Sequence, residues 1–234
     1  METTRLVPHA DALWSARDIH RFMGLEFGVR STIVLVGEDE LLVYSPVELT
    51  EQLRRELDQV GQVSTVLAPN RFHHLFLGPY QEAYPEEAVW GAAGLEKKRK
   101  DLSFDGQLPG DSSVFGEELE ALEIGGAASM SETVLFHRPS RTLICCDLIS
   151  NFQRTSGTLT RLYFKVMGVE GRVAVSRMVR MVYRDKEAAR ASLEAVLAWD
   201  FERIIMAHGE VIEDSADASA KDTLRRAFSW LLKD

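Results

Sequence analysis

The stretch VSTVLAPNRFHHLFLG, residues 63–78, contains both a strand pattern and two adjacent histidines. Residues 63–67, of which four are apolar or β-branched, predict a buried strand, which the following Pro-Asn pair ends. His73 and His74 come a few residues later. Because strand ends in an α/β protein meet at one edge of a sheet, where sites are commonly built, this stretch predicts a site beside a buried strand.

Two later stretches repeat this arrangement of an apolar strand followed by a side chain that can bind metal. In TLICCDL, residues 142–148, Asp147 follows the strand pattern, and in RIIMAHGEVI, residues 203–212, His208 does so. A single histidine near a strand end more often caps a helix or packs against its neighbours. Three such strand ends together predict one shared site.

The order of the predicted elements indicates an α/β protein with mixed sheets that are covered by helices on both outer faces. No repeat, low-complexity stretch or linker divides the chain, so one domain over residues 1–234 is expected. The sequence predicts strands at 31–36, 41–44, 63–67, 88–93, 119–124, 132–137, 141–148 and 203–207, a loop at 103–116, and helices at 47–60, 73–80, 95–102, 159–167, 176–182, 186–199 and 216–233.

The composition disfavours some classes of partner. The formal net charge is −9, which opposes nucleic-acid binding, because that affinity depends on Lys and Arg at phosphates. The basic run at residues 97–100 is typical of a solvated helix face. No apolar run reaches the length of a membrane span, and the N-terminus lacks the apolar core of a signal peptide. We therefore expect a small-molecule ligand, no nucleic acid and no membrane partner.

The two cysteines, Cys145 and Cys146, are adjacent. Neighbouring side chains in a strand point to opposite faces, so a bridge between these two would be strained. The chain has no other cysteine. Buried free thiols in a reducing cytoplasm are the expectation.

Three phrases resemble the metallo-β-lactamase superfamily, and in particular a divergent branch of uncharacterised proteins. They are PNRFHH at residues 69–74, HRPSRTLICCDL at 137–148, and HG at 208–209. The resemblance covers roughly residues 30–212. It implies an αββα sandwich, in which two mixed β-sheets are flanked by helices.

The first metal motif of the superfamily, HxHxDH, aligns with residues 69–74 in a degenerate form. Pro69 and Arg71 take the places of two first-site histidines, and the third would fall near Ala127. The positions around the second site keep side chains that can bind metal. The resemblance therefore implies at most one ion, Zn²⁺ or Fe²⁺, with the candidate ligands His73, His74, Asp147 and His208.

Two functions follow from this pattern, and the sequence leaves both open. The first is a divergent metallo-hydrolase that acts on an unknown small substrate. The second is a non-catalytic binding or scaffolding module with a degenerate site. Arg71, which stands where a metal ligand is lost, and the neighbouring Asn70 would then bind a substrate or an anion. A structural pair between Asp147 and His208 would also preserve the site without catalysis. No catalytic residue is predicted.

Overall fold

The computed structural model describes residues 5–22, 24–110, 115–155 and 157–232. Within these ranges the first sheet has seven strands, which lie side by side in chain order. The strands are β1 Leu6–Ala10, β2 Leu13–Phe22, β3 Leu25–Leu35, β4 Glu40–Tyr44, β5 Gln62–Ala68, β6 Ala88–Ala92 and β7 Gly106–Leu108. Pairing is antiparallel from β1 to β4 and parallel from β4 to β7, so the sheet is mixed.

The second sheet of the described chain has five strands in the order β14-β13-β10-β9-β8. These are β8 Leu119–Glu123, β9 Thr133–His137, β10 Thr142–Ile144, β13 Arg203–Ile205 and β14 Ile212–Glu213. Within this second sheet, β10 pairs with β13 in parallel, and the other described pairings are antiparallel. A short ribbon joins β11 Ser150–Asn151 to β12 Val173–Ala174.

Helices cover the outer faces of both sheets. They are α1 Glu51–Val60, α2 Leu77–Ala83, α3 Leu95–Lys98, α4 Thr158–Met167, α5 Arg177–Val182, α6 Lys186–Ala198, α7 Ala220–Ala227 and α8 Ser229–Leu232. None of the helices in the described ranges is long and apolar enough to cross a membrane.

Alternating side chains along the strands build the layers. In β5, Leu67 packs between the two sheets, whereas Val66 and Ala68 face the helices on the outer side. In the second sheet, Ile144 packs between the sheets and Leu143 packs under the outer helices. Because both faces of these strands are buried, their sequences read as continuous apolar runs. The predicted αββα sandwich of two mixed sheets is confirmed.

Most predicted elements are present, with bounds that the capping residues explain. The helix predicted from residue 47 begins at Glu51, because the Thr50 hydroxyl accepts the N–H of Leu53 as an N-cap. The helix predicted from residue 216 begins at Ala220 after the Ser219 cap and continues as α7 and α8, and the end predicted at residue 233 lies outside the described residues.

Three predictions about element length were wrong. The helix predicted at 73–80 begins only at Leu77, and the helix predicted at 95–102 ends at Lys98. The loop predicted at 103–116 contains strand β7, which completes the first sheet by pairing with β6. Residues 111–114 of that loop lie outside the described residues. All three errors arise because pairing and packing with distant residues override local patterns.

Candidate metal centre

The loop after β5 is shaped by Asn70, which is fully buried. Its side-chain Oδ1 accepts the backbone N–H groups of Phe72 and His73, both at 2.9 Å. Its Nδ2 donates to Asp147 Oδ2 at 2.8 Å. The amide therefore bends the loop that carries His73 and ties it to the loop that carries Asp147.

The loop that carries Asp147 wraps around the carboxylate of Glu132, a fully buried residue that directly precedes β9. This carboxylate accepts three successive backbone N–H groups, from Cys146 at 2.8 Å, Asp147 at 2.9 Å and Leu148 at 3.1 Å. Burial and the charge of Asp147 raise the pKa of Glu132 to about 7, although the three N–H donors act in the opposite direction.

Glu132 was not predicted as a site residue. Its signal in the sequence is an acidic residue directly before the apolar run TVLF, where a buried strand begins. A carboxylate in such a place needs several hydrogen bonds, because an unpaired buried charge is costly. That rule indicates a structural partner for Glu132, but it does not say which backbone groups provide it.

His208 follows β13 and is fixed by the backbone on both sides. Its carbonyl accepts the N–H of Asn151 at 3.1 Å, and its Nδ1 lies 2.9 Å from the carbonyl oxygen of Gly28. A carbonyl can only accept, so Nδ1 carries the proton. In the neutral ring the Nε2 lone pair is then free to bind a metal ion.

His73 is oriented in a similar way from the opposite side. Its Nδ1 lies 2.9 Å from the hydroxyl of Ser45, the residue that follows β4. A hydroxyl can both donate and accept, so Ser45 can bind His73 in either tautomer. This contact turns Nε2 of His73 toward His208.

Three of the four predicted ligands meet at one point. The Nε2 atoms of His73 and His208 are 3.2 Å apart, and Asp147 places Oδ2 at 3.4 Å from His73 and Oδ1 at 3.3 Å from His208. Ligand atoms on a tetrahedral Zn²⁺ with bonds of about 2.0–2.1 Å lie about 3.3–3.4 Å apart. These side chains therefore fit one such ion, and they form a group that could bind metal.

The charges within the group support ligation. Burial would raise the pKa of Asp147, but the charge of His73 and hydrogen bonds from His208 and His73 outweigh it and hold this pKa well below its usual range. Burial would lower the pKa of His208, but the hydrogen bond to Asp147 and its charge raise it. Asp147 is thus an ionised carboxylate at neutral pH, the form that binds metal.

The fourth predicted ligand, His74, points away from this group. Its Nδ1 lies 3.2 Å from Arg99 Nη1, and the same guanidinium nitrogen donates to the carbonyl of His74 at 2.7 Å. Burial and the charges of Lys98 and Arg99 lower the pKa of His74 to about 4. The structure does not bring His74 together with the other three residues.

Arg71, which was predicted to bind substrate with Asn70, lies along α3. Its guanidinium carbon is 3.7 Å from the position that a Cβ on Gly94 would take, and its carbonyl accepts from Lys98 Nζ at 2.9 Å. Ala127, the position of the third lost first-site histidine, is buried in the core under the second sheet.

Cys145 and Cys146 are free and buried, which confirms the prediction for both thiols. Cys145 packs under the outer helices, and Cys146 packs between the sheets. Burial raises the pKa of each thiol well above its usual value, so neither is a reactive thiolate.

A mostly apolar cavity of about 100 Å³ lies beside the metal-binding group. Asp147 and His208 form one wall of it. The opposite walls include the side chains of Phe27, Phe152, Phe164, Met167 and Val179. A small apolar group in this cavity would therefore lie next to the two ligands.

The sandwich and the position of this group at the ends of β5, β10 and β13 define the class, a divergent metallo-β-lactamase fold. The chain is similar to a metallo-β-lactamase from Pontibacter korlensis (TM-score 0.68, 11% identity, 99% of this chain and 100% of that chain). It is also similar to one from Erythrobacter litoralis (TM-score 0.69, 11% identity, 99% and 97%). A third similar structure is FIM-1 from Pseudomonas aeruginosa in its mono-zinc form (TM-score 0.63, 12% identity, 97% and 92%).

Identities this low establish the fold alone. Residues 10–176 match the family described as Domain of unknown function (DUF4336), and the chain belongs to that family. No curated protein sequence matches the chain.

Proposed function

We propose that the protein is a metal-dependent hydrolase that holds a single ion on His73, Asp147 and His208. The observation that supports it is the convergence of two Nε2 atoms and one carboxylate at mutual distances of 3.2–3.4 Å. Two imidazoles and one carboxylate suit Zn²⁺ or Fe²⁺.

His73, Asp147 and His208 would hold such an ion, which would supply a Lewis acid able to lower the pKa of water towards about 7. The chain's own residues supply the rest of the arrangement. Gly28 and Ser45 orient the two imidazoles, and Glu132 holds the loop of Asp147. Such supporting contacts fix the ligand geometry and raise the metal affinity.

A mononuclear site agrees with the residues at the lost first site. Pro69, Arg71 and Ala127 offer no ligand there. The mono-zinc form of the similar FIM-1 structure supports one-ion occupancy of this fold. The cavity beside Asp147 and His208 would hold the apolar part of a small substrate. We also infer one domain over residues 1–234, and the buried free thiols favour a reducing compartment such as the cytoplasm.

Elemental analysis tests this proposal on protein purified without chelator or a histidine-rich tag. We expect about one Zn or Fe per chain, and loss of that metal in His208→Ala. Metal-loaded protein should then hydrolyse at least one of a panel of phosphoesters, thioesters and lactones, and Asp147→Asn should abolish this activity. Folded protein that takes up no metal on reconstitution would overturn the proposal.

A second candidate is the non-catalytic, anion-binding module. It is favoured by a basic group around α3, where Lys98 Nζ contacts the carbonyl of Arg71 and Arg99 contacts His74. If the metal-free result were obtained, phosphate or a carboxylate ligand should bind with an affinity that falls in Arg71→Gln. An unchanged affinity in that variant would remove this candidate.

A further inference from the structure

Large apolar side chains are exposed on two neighbouring helices, α4 and α5. Leu159, Leu162 and Val166 follow one another at helical spacing on α4, and they are 57%, 59% and 51% exposed. Met178 and Met181 on α5 are 54% and 69% exposed. These five residues define the α4–α5 face. An exposed apolar patch of this kind typically marks an interaction surface.

Hydrogen bonds from two arginines hold the end of α4 against α5 and the segment before it. The guanidinium of Arg177 donates to the carbonyl of Val166 at 3.0 Å, and Arg172 donates to the carbonyl of Gly168 at 2.9 Å. The two arginines therefore border the apolar side chains of the α4–α5 face. Both are exposed to solvent.

The charge of this region is opposite to that of the chain. Residues 152–184 contain seven Lys or Arg and one Glu, whereas the whole chain has 27 basic and 36 acidic residues. The single acidic residue, Glu170, pairs with Arg161 and Lys165. Apolar side chains bordered by positive charge are the features by which a helix binds an anionic lipid surface.

The same helices cover the candidate metal centre. Phe164 and Met167 of α4 and Val179 of α5 line the cavity whose other wall includes Asp147 and His208. Met178 of the α4–α5 face also lines this cavity, so a membrane in contact with the face would border it. Molecules that reside in the membrane would thus be close to the site.

We propose that the α4–α5 face docks on an anionic lipid membrane. A second copy of the chain fits less well, because a two-fold interface on this face would bring the positive charges of Arg172 and Arg177 from both copies into one interface. This proposal departs from the expectation of no membrane partner, because the lack of a spanning segment on which that expectation rested does not bear on surface docking. The proposal concerns the surface and does not rest on a bound metal.

Vesicle sedimentation tests the proposal, with the protein as isolated and after metal removal. Phosphatidylcholine vesicles with one third phosphatidylglycerol should pellet the protein, and pure phosphatidylcholine should not. Binding should weaken as salt rises from about 0.1 M to 1 M, where screening shortens from about 10 Å to 3 Å. Leu162→Glu and Met181→Glu should each reduce binding about tenfold or more, because each places a negative charge in the apolar contact.

Val7→Glu is the matched control, since Val7 is an apolar residue on β1 with 45% exposure. It should bind vesicles as the wild type does. Circular dichroism of each variant verifies folding. Because the two glutamate variants lie on different helices, the test still holds if one of them fails to fold. Absence of binding to anionic vesicles would overturn the proposal. So would a dimer in light scattering that Leu162→Glu dissociates, since the face would then bind a second copy.

Discussion

His73 and His208, which are 135 positions apart in the chain, bring their Nε2 atoms to 3.2 Å from each other. The Nδ1 atom of His208 donates to Gly28, so in the neutral ring its Nε2 has a free lone pair. Two lone pairs cannot face each other at this distance without a proton or a metal ion between them. Asp147, which contacts both rings, supplies the negative charge that favours a cation there.

Glu132→Gln should weaken both the fold and the metal site. The substitution places an amide NH₂ among three backbone N–H donors that need an acceptor. We expect a loss of about 2–3 kcal/mol in the free energy of unfolding. Metal affinity should fall about 10–100-fold, because the loop of Asp147 loses its support. Denaturant unfolding and metal titration measure the two effects.

The control for that variant is Glu120→Gln, which removes a carboxylate from a surface ion pair with Arg138. It should cost no more than about 1 kcal/mol and leave metal affinity unchanged. Equal losses of unfolding free energy and of metal affinity in the two variants would show that the Glu132 carboxylate has no special role in holding the loop.

Gly209→Ala should disrupt the position of His208. Gly209 has a φ of +95°, and a Cβ there would lie 2.1 Å from the carbonyl oxygen of Asn151. Backbone strain and steric overlap together should lower the free energy of unfolding by about 2–5 kcal/mol, and they should also lower the metal content. Gly171→Ala is matched for conformation, with a φ of +67° and open space around its Cβ position. It should cost only about 1–2 kcal/mol and retain the metal. Similar stability and metal content in both variants would contradict the role of Gly209.

Stability should fall on acidification through His9. Burial and the charges of Arg30 and Arg203 lower the pKa of His9 to about 4, below its value of about 6.5 in the unfolded chain. The folded state thus favours the neutral ring. The contribution of neutral His9 to the free energy of unfolding is complete above about pH 6.5, and it is lost as the pH falls from about 6.5 to 4.

The measurement is the difference in Tm between pH 7 and pH 4.5 for the wild type and His9→Gln. After allowance for solvent screening at this partly buried site, His9 should contribute about 1 kcal/mol, or about 2–4 °C in Tm. The variant should therefore lose less Tm on acidification than the wild type. An identical loss would show that His9 does not titrate in this range.

The sequence indicated the layers well because strands that are buried on both faces are apolar throughout. Residues 66–68 and 204–207 are such runs, and all of them are buried in the sandwich. The long hairpin of β2 and β3 was not predicted over its first part, since residues such as Arg17, Asp18 and His20 interrupt the apolar pattern. Pairing of β2 with β3 across ten residue pairs overrides that local signal.

The sequence predicted which strand ends meet at the site, but it did not predict which side chains point into it. His73 and His74 are adjacent in sequence, and nothing in their own chemistry distinguishes them. The turn imposed by Asn70, together with Ser45, directs His73 into the group, while Arg99 holds His74 outside it. Those three contacts come from separate parts of the chain, so a local motif cannot reveal them.

The most direct test of the central claim compares His73→Gln with His74→Gln after zinc reconstitution and removal of free metal. The structure predicts about one Zn²⁺ per chain in the wild type and in His74→Gln, and almost none in His73→Gln, because only His73 turns Nε2 toward Asp147 and His208. Equal loss of zinc from two folded variants, or retention by His73→Gln, would contradict the account.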